Sequence, residues 1–81
     1  MTMPHERAKS LLWARALLIE LVHCAEAPED LRARARHILR HYPLATQVRY
    51  GARLAPDFLE VDLTDPYMAR AFEDAGDSDR Y

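Results

Sequence analysis

Apolar and polar positions follow a helical period through the first half of the chain, a two-residue period between 57 and 64, and a helical period again after 65. Over residues 4–25, Ala8, Leu11, Leu12, Leu18, Ile19 and Val22 fall on one face of a helix, as in a helix packed on a core. Trp13, Leu17, Leu21 and Cys24 form a second stripe at steps of four, four and three. Two apolar stripes on one helix require two covers. Thr2 is placed to cap this helix, Pro4 stands in its opening turn, and Glu6 meets the positive end of its dipole.

The spacing predicts a second helix over 28–42. Pro28 opens it, Glu29 and Asp30 occupy its first turn, and Pro43 disfavours helix at Tyr42. Its apolar stripe is Leu31, Ala35, Ile38, Leu39 and Tyr42. Glu29 with Arg32 and Asp30 with Arg34 are expected surface pairs, each worth ~0.2–0.5 kcal/mol. The short link makes the two helices an antiparallel hairpin. Residues 46–53 read as a short third helix weakened by Gly51. Over 57–64, Leu59, Val61 and Leu63 alternate with Glu60, Asp62 and Thr64, so a short extended segment is expected near 58–63. Asp65-Pro66 then opens a short helix over 65–75, with Tyr67/Ala71 and Met68/Phe72 as four-apart pairs and Gly76 as its stop; 77–81 reads as a frayed tail.

The expected fold is therefore all-α, one small domain over 1–81: the hairpin, with the two short helices covering one stripe of the first. Composition agrees, since Ala, Leu, Arg and Glu abound while Gly occurs twice. A chain of 81 residues buries only a little over ~60% of its unfolded surface, so a partner chain would add stability. The Trp13, Leu17, Leu21 and Cys24 stripe is the candidate interface for a homodimer or another protein; the competing expectation is that the C-terminal third folds over it. A lone cysteine and the charges Arg15 and Glu20 inside the longest apolar stretch argue against a disulfide framework, a signal peptide and a membrane span, and place the protein in the cytoplasm.

Charge is unevenly distributed. Residues 1–56 hold nine Lys/Arg against five Asp/Glu, while 57–81 hold two against eight. Arg32, Arg34, Arg36, Arg40, His37 and His41 form a basic face on the second helix; Glu60, Asp62, Asp65, Glu73 and Asp74 form an acidic segment. The basic face could track a nucleic-acid backbone, yet it lacks interleaved aromatics and a helix-turn-helix pattern. The acidic segment could imitate such a backbone, as in an anti-CRISPR-like inhibitor of phage or mobile-element origin, or it could dock on the basic face if Phe58, Leu59, Tyr67 or Phe72 buried apolar area there. His37 and His41 have chelating spacing, but Arg36 and Arg40 beside them repel a cation, so no metal or other cofactor is expected. Ser10 and Ser78 stand in no nucleophile motif, and Cys24 lies in apolar surroundings that raise a thiol's pKa. The residues point to a non-enzymatic interaction or regulatory protein.

The opening MTMPHERAKSLL and the segment LRARARHILRHYP, with Arg32, Ala35, Arg36, Leu39, Arg40, His41, Tyr42 and Pro43, resemble a family of small proteobacterial proteins. Its members begin MTMPxER and end their second helix on RxxARxxLRHYP. The resemblance covers the first half and implies a compact helical module without a particular activity.

Overall fold

The computed structural model describes residues 3–76. Among them the chain is all-helical: α1 Pro4–Val22, α2 Glu29–Leu39, α3 Ala45–Leu54 and α4 Pro66–Ala75. Each boundary has a local cause. The N-cap of α1 is Met3, whose carbonyl accepts from Glu6 and Arg7 N–H, with Pro4 at the first helical position; Thr2 lies outside the described residues. α1 stops three residues short of the expected Ala25, because residues 24–27 are needed to reverse the chain, closed by Ala27 N–H donating to Cys24 O. α2 likewise ends before Tyr42. His41 and Tyr42 N–H reach back only three residues, to Ile38 and Leu39, as Pro43 forces the backbone out of helix.

Gln47 starts α3 by accepting from Leu44 N–H at 2.8 Å through Oε1. Gly51 does not break it. α4 is capped as expected: the Asp65 carboxylate accepts from Tyr67 N–H at 2.9 Å, Pro66 follows, and Gly76 ends the helix at φ 70°. The alternating segment forms no strand. Leu59 is buried and Val61 half-buried, but Leu63 is exposed, and the segment's main-chain tie is Glu60 N–H to Pro4 O at 3.3 Å. Without a neighbouring strand to share its ladder, a two-residue period makes only a strap with two side chains turned inward. The tail 77–81 lies outside the described residues.

One core joins Ala8 and Leu12 of α1, Ala45, Val48 and Ala52 of α3, Leu59, and Met68, Ala71 and Ala75 of α4, with Leu11, Val61 and Phe72 at its edge. Five of those nine buried residues are alanine, which lets helix axes approach closely around Leu12 and Met68. α2 packs elsewhere. Its buried Ala35 and Leu39 lie outside this cluster and against the second half of α1, the hairpin being tied by Tyr42 Oη donating to Leu11 O at 2.6 Å.

Arg15, one of the two charges inside the longest apolar stretch, lies in the interior. It is 1% exposed, the sole buried charged residue among those described. The stripe Leu11, Leu12, Leu18, Ile19, Val22 leaves an inward position vacant three and four residues from its neighbours, and Arg15 occupies it. Its charge lies beside Tyr42 and partly offsets the effect of burial, which pushes the Tyr42 hydroxyl above its ordinary pKa.

Candidate functional site

Every apolar residue of α1 from Ala16 to Val22 is at least partly accessible. Leu17 is 64% exposed and Trp13 38%; Leu18, Ile19, Leu21 and Val22 are half-buried. α1 is apolar on both sides, and a helix of that kind is ordinarily enclosed. Here α3, α4 and the strap cover its first half, while among the described residues α2 alone runs back along the second. Leu31 and Ile38 of α2 are exposed as well.

Beside the outward face lies an apolar groove of about 430 Å³ lined by Arg7, Ser10, Leu11, Ala14, Tyr42 and Phe58. Its wall is built from distant parts of the chain. Arg7 Nε donates to Phe58 O at 2.9 Å and Nη2 to Asp57 O at 3.3 Å, while the guanidinium lies 5.3 Å from the Phe58 ring centre. Phe58 is thereby fixed in place yet stays 57% exposed. Ser10 and Ala14, small and outward, form the floor where the groove opens onto the Trp13–Leu17 face. Of the expected interface, Trp13 and Leu17 stand open, whereas Leu21 and Cys24 are partly covered.

The charged regions are less available than their composition suggests. Glu29 reaches both Arg32 (2.7 Å) and Arg36 (3.0 Å), and the expected Asp30–Arg34 pair is not formed. Arg34, His37, Arg40 and His41 remain exposed, with the two imidazoles edge to face at 6.1 Å. Among the described residues no group of three His, Cys, Asp or Glu side chains gathers in a metal-holding arrangement.

In the acidic segment, Asp65 pairs with Lys9 at 3.4 Å, Asp74 with Arg70 at 3.2 Å, and Glu60 lies 3.9 Å from His5. Asp62 accepts from Thr64 N–H and hydroxyl, which holds its carboxyl below the usual range. Glu73 is exposed. These acids meet the start of α1 and their own helix, and the expected burial by aromatics is divided: Leu59 is buried and Phe72 half-buried, while Phe58 and Tyr67 stay exposed. Lys9 lies 5.7 Å from the Tyr67 ring centre, so that aromatic receives a cation and not a basic helix.

The periodicity read from sequence singled out Trp13 and Leu17, which the structure leaves exposed, and gave no sign of the groove. Ser10 and Ala14 carry no chemical signal, and Phe58 joins them only through the Arg7 contacts. No helix among the described residues is long and apolar enough to cross a membrane. Set against protein-family models, characterised proteins and solved structures, the chain finds no match.

Proposed function

We propose that the chain is a non-enzymatic interaction protein of the cytoplasm whose working surface is the outward face of α1 and the groove beside it. The observation that carries this reading is Leu17, a large aliphatic residue left 64% exposed one turn from Trp13 and next to an apolar groove walled by Phe58. Exposed apolar side chains scattered singly are ordinary; a contiguous set beside a concavity marks a contact surface. An aromatic anchor with aliphatic neighbours is the usual composition of a binding hot spot. The arginines and carboxylates support the other readings less well, since Arg32, Arg36, Asp62, Asp65 and Asp74 already hold partners within the chain.

The test is recovery of complexes from cytosol on the tagged chain, with Leu17→Glu alongside. The expected result is a protein complex that survives nuclease and moderate salt and is lost in the variant. Recovery of nucleic acid at low salt, removed by nuclease, would instead favour the basic face of α2. Loss of a basic effector on neutralising Glu60, Asp62, Glu73 and Asp74, with Leu17→Glu still binding, would favour the anti-CRISPR-like mimic.

A further inference from the structure

Resting on that interaction reading, we propose that the occupant of the α1 face is a second copy of this chain, packed antiparallel about a two-fold axis that passes between Trp13 and Ala14. The outward residues of α1 and its N-cap are Met3, Glu6, Ser10, Trp13, Ala14, Leu17 and Glu20, with Leu21 half-buried beside them. Met3, Glu6, Ser10, Trp13, Leu17 and Glu20 recur at alternating steps of three and four, the period of one helix lying along another, and Ala14 stands beside Trp13. An axis at that level pairs each residue with the one whose number completes the same total. Trp13 then faces Ala14 of the second copy, and Ser10 faces its Leu17. Arg7 faces its Glu20.

These three pairings are complementary, and the same axis sets Glu6 against the half-buried Leu21. The two large side chains meet the two small ones, which lets facing layers interdigitate. Ser10 and Ala14 are also the floor of the groove, so Leu17 and Trp13 of the second copy enter the concavity that Leu11, Tyr42 and Phe58 enclose. Opposite charges meet at both ends, related by symmetry as an isologous interface requires. A parallel pairing would set Glu6 against Glu6 and Glu20 against Glu20, and shifting the antiparallel axis by half a residue toward the N-terminus sets Glu6 against Glu20. Against these two alternatives, charge favours the axis between Trp13 and Ala14.

The contact from Arg7 to Glu20 is about 20 Å long at 1.5 Å per residue. A strip of that length along one helix buries less than the roughly 800 Å² per partner of a standard interface, so the expected dissociation constant is on the order of micromolar or weaker.

Sedimentation equilibrium of the purified chain from about 1 to about 300 μM tests the proposal. The expected result is a concentration-dependent rise from monomer to dimer mass. Leu17→Glu and Trp13→Glu should stay monomeric throughout, with helical circular dichroism unchanged, and Glu20→Lys should weaken association by about ten-fold or more. Register has its own readout. In a Cys24→Ser background, Ala14→Cys should give a disulfide-linked dimer under diamide, because its position adjoins the axis. Wild-type Cys24 should not, since the register holds the two sulfurs about 30 Å apart. Monomer mass at every concentration overturns the proposal, as does a dimer indifferent to Leu17→Glu or one linked through Cys24. If the chain stays monomeric while Leu17→Glu still abolishes capture of another protein from cytosol, the self-pairing is wrong and the interaction reading stands.

Discussion

Leu12 and Leu17 are the same residue on one helix, and they meet opposite surroundings: one is 1% exposed, the other 64%. Around Leu12, three separate pieces of chain converge on α1. α3 and α4 bring alanines that permit close approach, and the strap brings Leu59. Around Leu17 there is α2 on the far side and, among the described residues, nothing on the near side. The difference teaches that an apolar stripe states a demand for cover, while topology decides whether the same chain supplies it. At the first half of α1 the demand is met internally. At the outward face, among the described residues, it is not.

The sharpest way to break this comparison is to truncate both leucines. Leu12→Ala removes a fully enclosed side chain from a core with little room to collapse, and should cost about 3 kcal/mol, lowering Tm by more than about 10 °C. Leu17→Ala, measured at sub-micromolar concentration by circular dichroism, should change stability by less than about 0.5 kcal/mol. Equal losses at the two sites would mean that the Leu17 face is covered within one chain.

Tyr42 marks the boundary between the two regions, where α2 is tied to α1. Tyr42→Phe removes a half-buried donor from Leu11 O and should cost roughly 0.5–1.5 kcal/mol in denaturant titration. The same bond predicts alkaline sensitivity. Burial raises the Tyr42 pKa in the folded state, so its contribution is complete below the unfolded value near 10 and is lost as pH rises through the folded one. The phenylalanine variant should lack that part of the alkaline loss.

The two glycines sharpen the contrast at smaller scale. Gly76 ends α4 at φ 70° with open space around it, so Gly76→Ala carries a purely conformational cost of about 1 kcal/mol. Gly51 is inside α3, and a methyl group there would meet Leu59 Cδ1 at 3.6 Å, an ordinary contact. Gly51→Ala should therefore stabilise the packed region by roughly 0.5–1 kcal/mol through helix propensity. Opposite signs in thermal melts are the expected outcome.

Much of this arrangement is legible in the residues themselves. Pro4, Pro28 and Asp65-Pro66 place three helix starts within a residue or so, because a proline's fixed φ and a carboxylate cap act locally. The ends of α1 and α2 run short because turn geometry consumes residues whose side chains still fit a helical stripe, as at Cys24 and Tyr42. Arg15 shows the opposite failure. Its position on the stripe is inward, yet its charge argues for outside, and only the packing beside Tyr42 reveals which consideration wins. The groove was not legible at all, since Arg7 and Phe58 are 51 positions apart and meet through a backbone carbonyl that no side-chain pattern encodes.

The smallest expected effect concerns how α4 is held on the packed half of α1. Asp65 caps α4 through Tyr67 N–H and pairs with Lys9, and these contacts, the cap first, keep its carboxyl below the ordinary range. Asp62 is shifted the same way by Thr64. Both groups have folded pKa values below their unfolded ones, so their contribution is present above about pH 4 and disappears as pH falls through the folded values. Asp65→Asn keeps a capping oxygen but cannot titrate, so it should be slightly less stable than wild type at neutral pH and lose less on acidification between about pH 5 and pH 2. Urea midpoints across that range read both changes. An unaltered acid profile in Asp65→Asn would assign the acid response to Asp62 and its neighbours, and would leave the attachment of α4 to the apolar core alone.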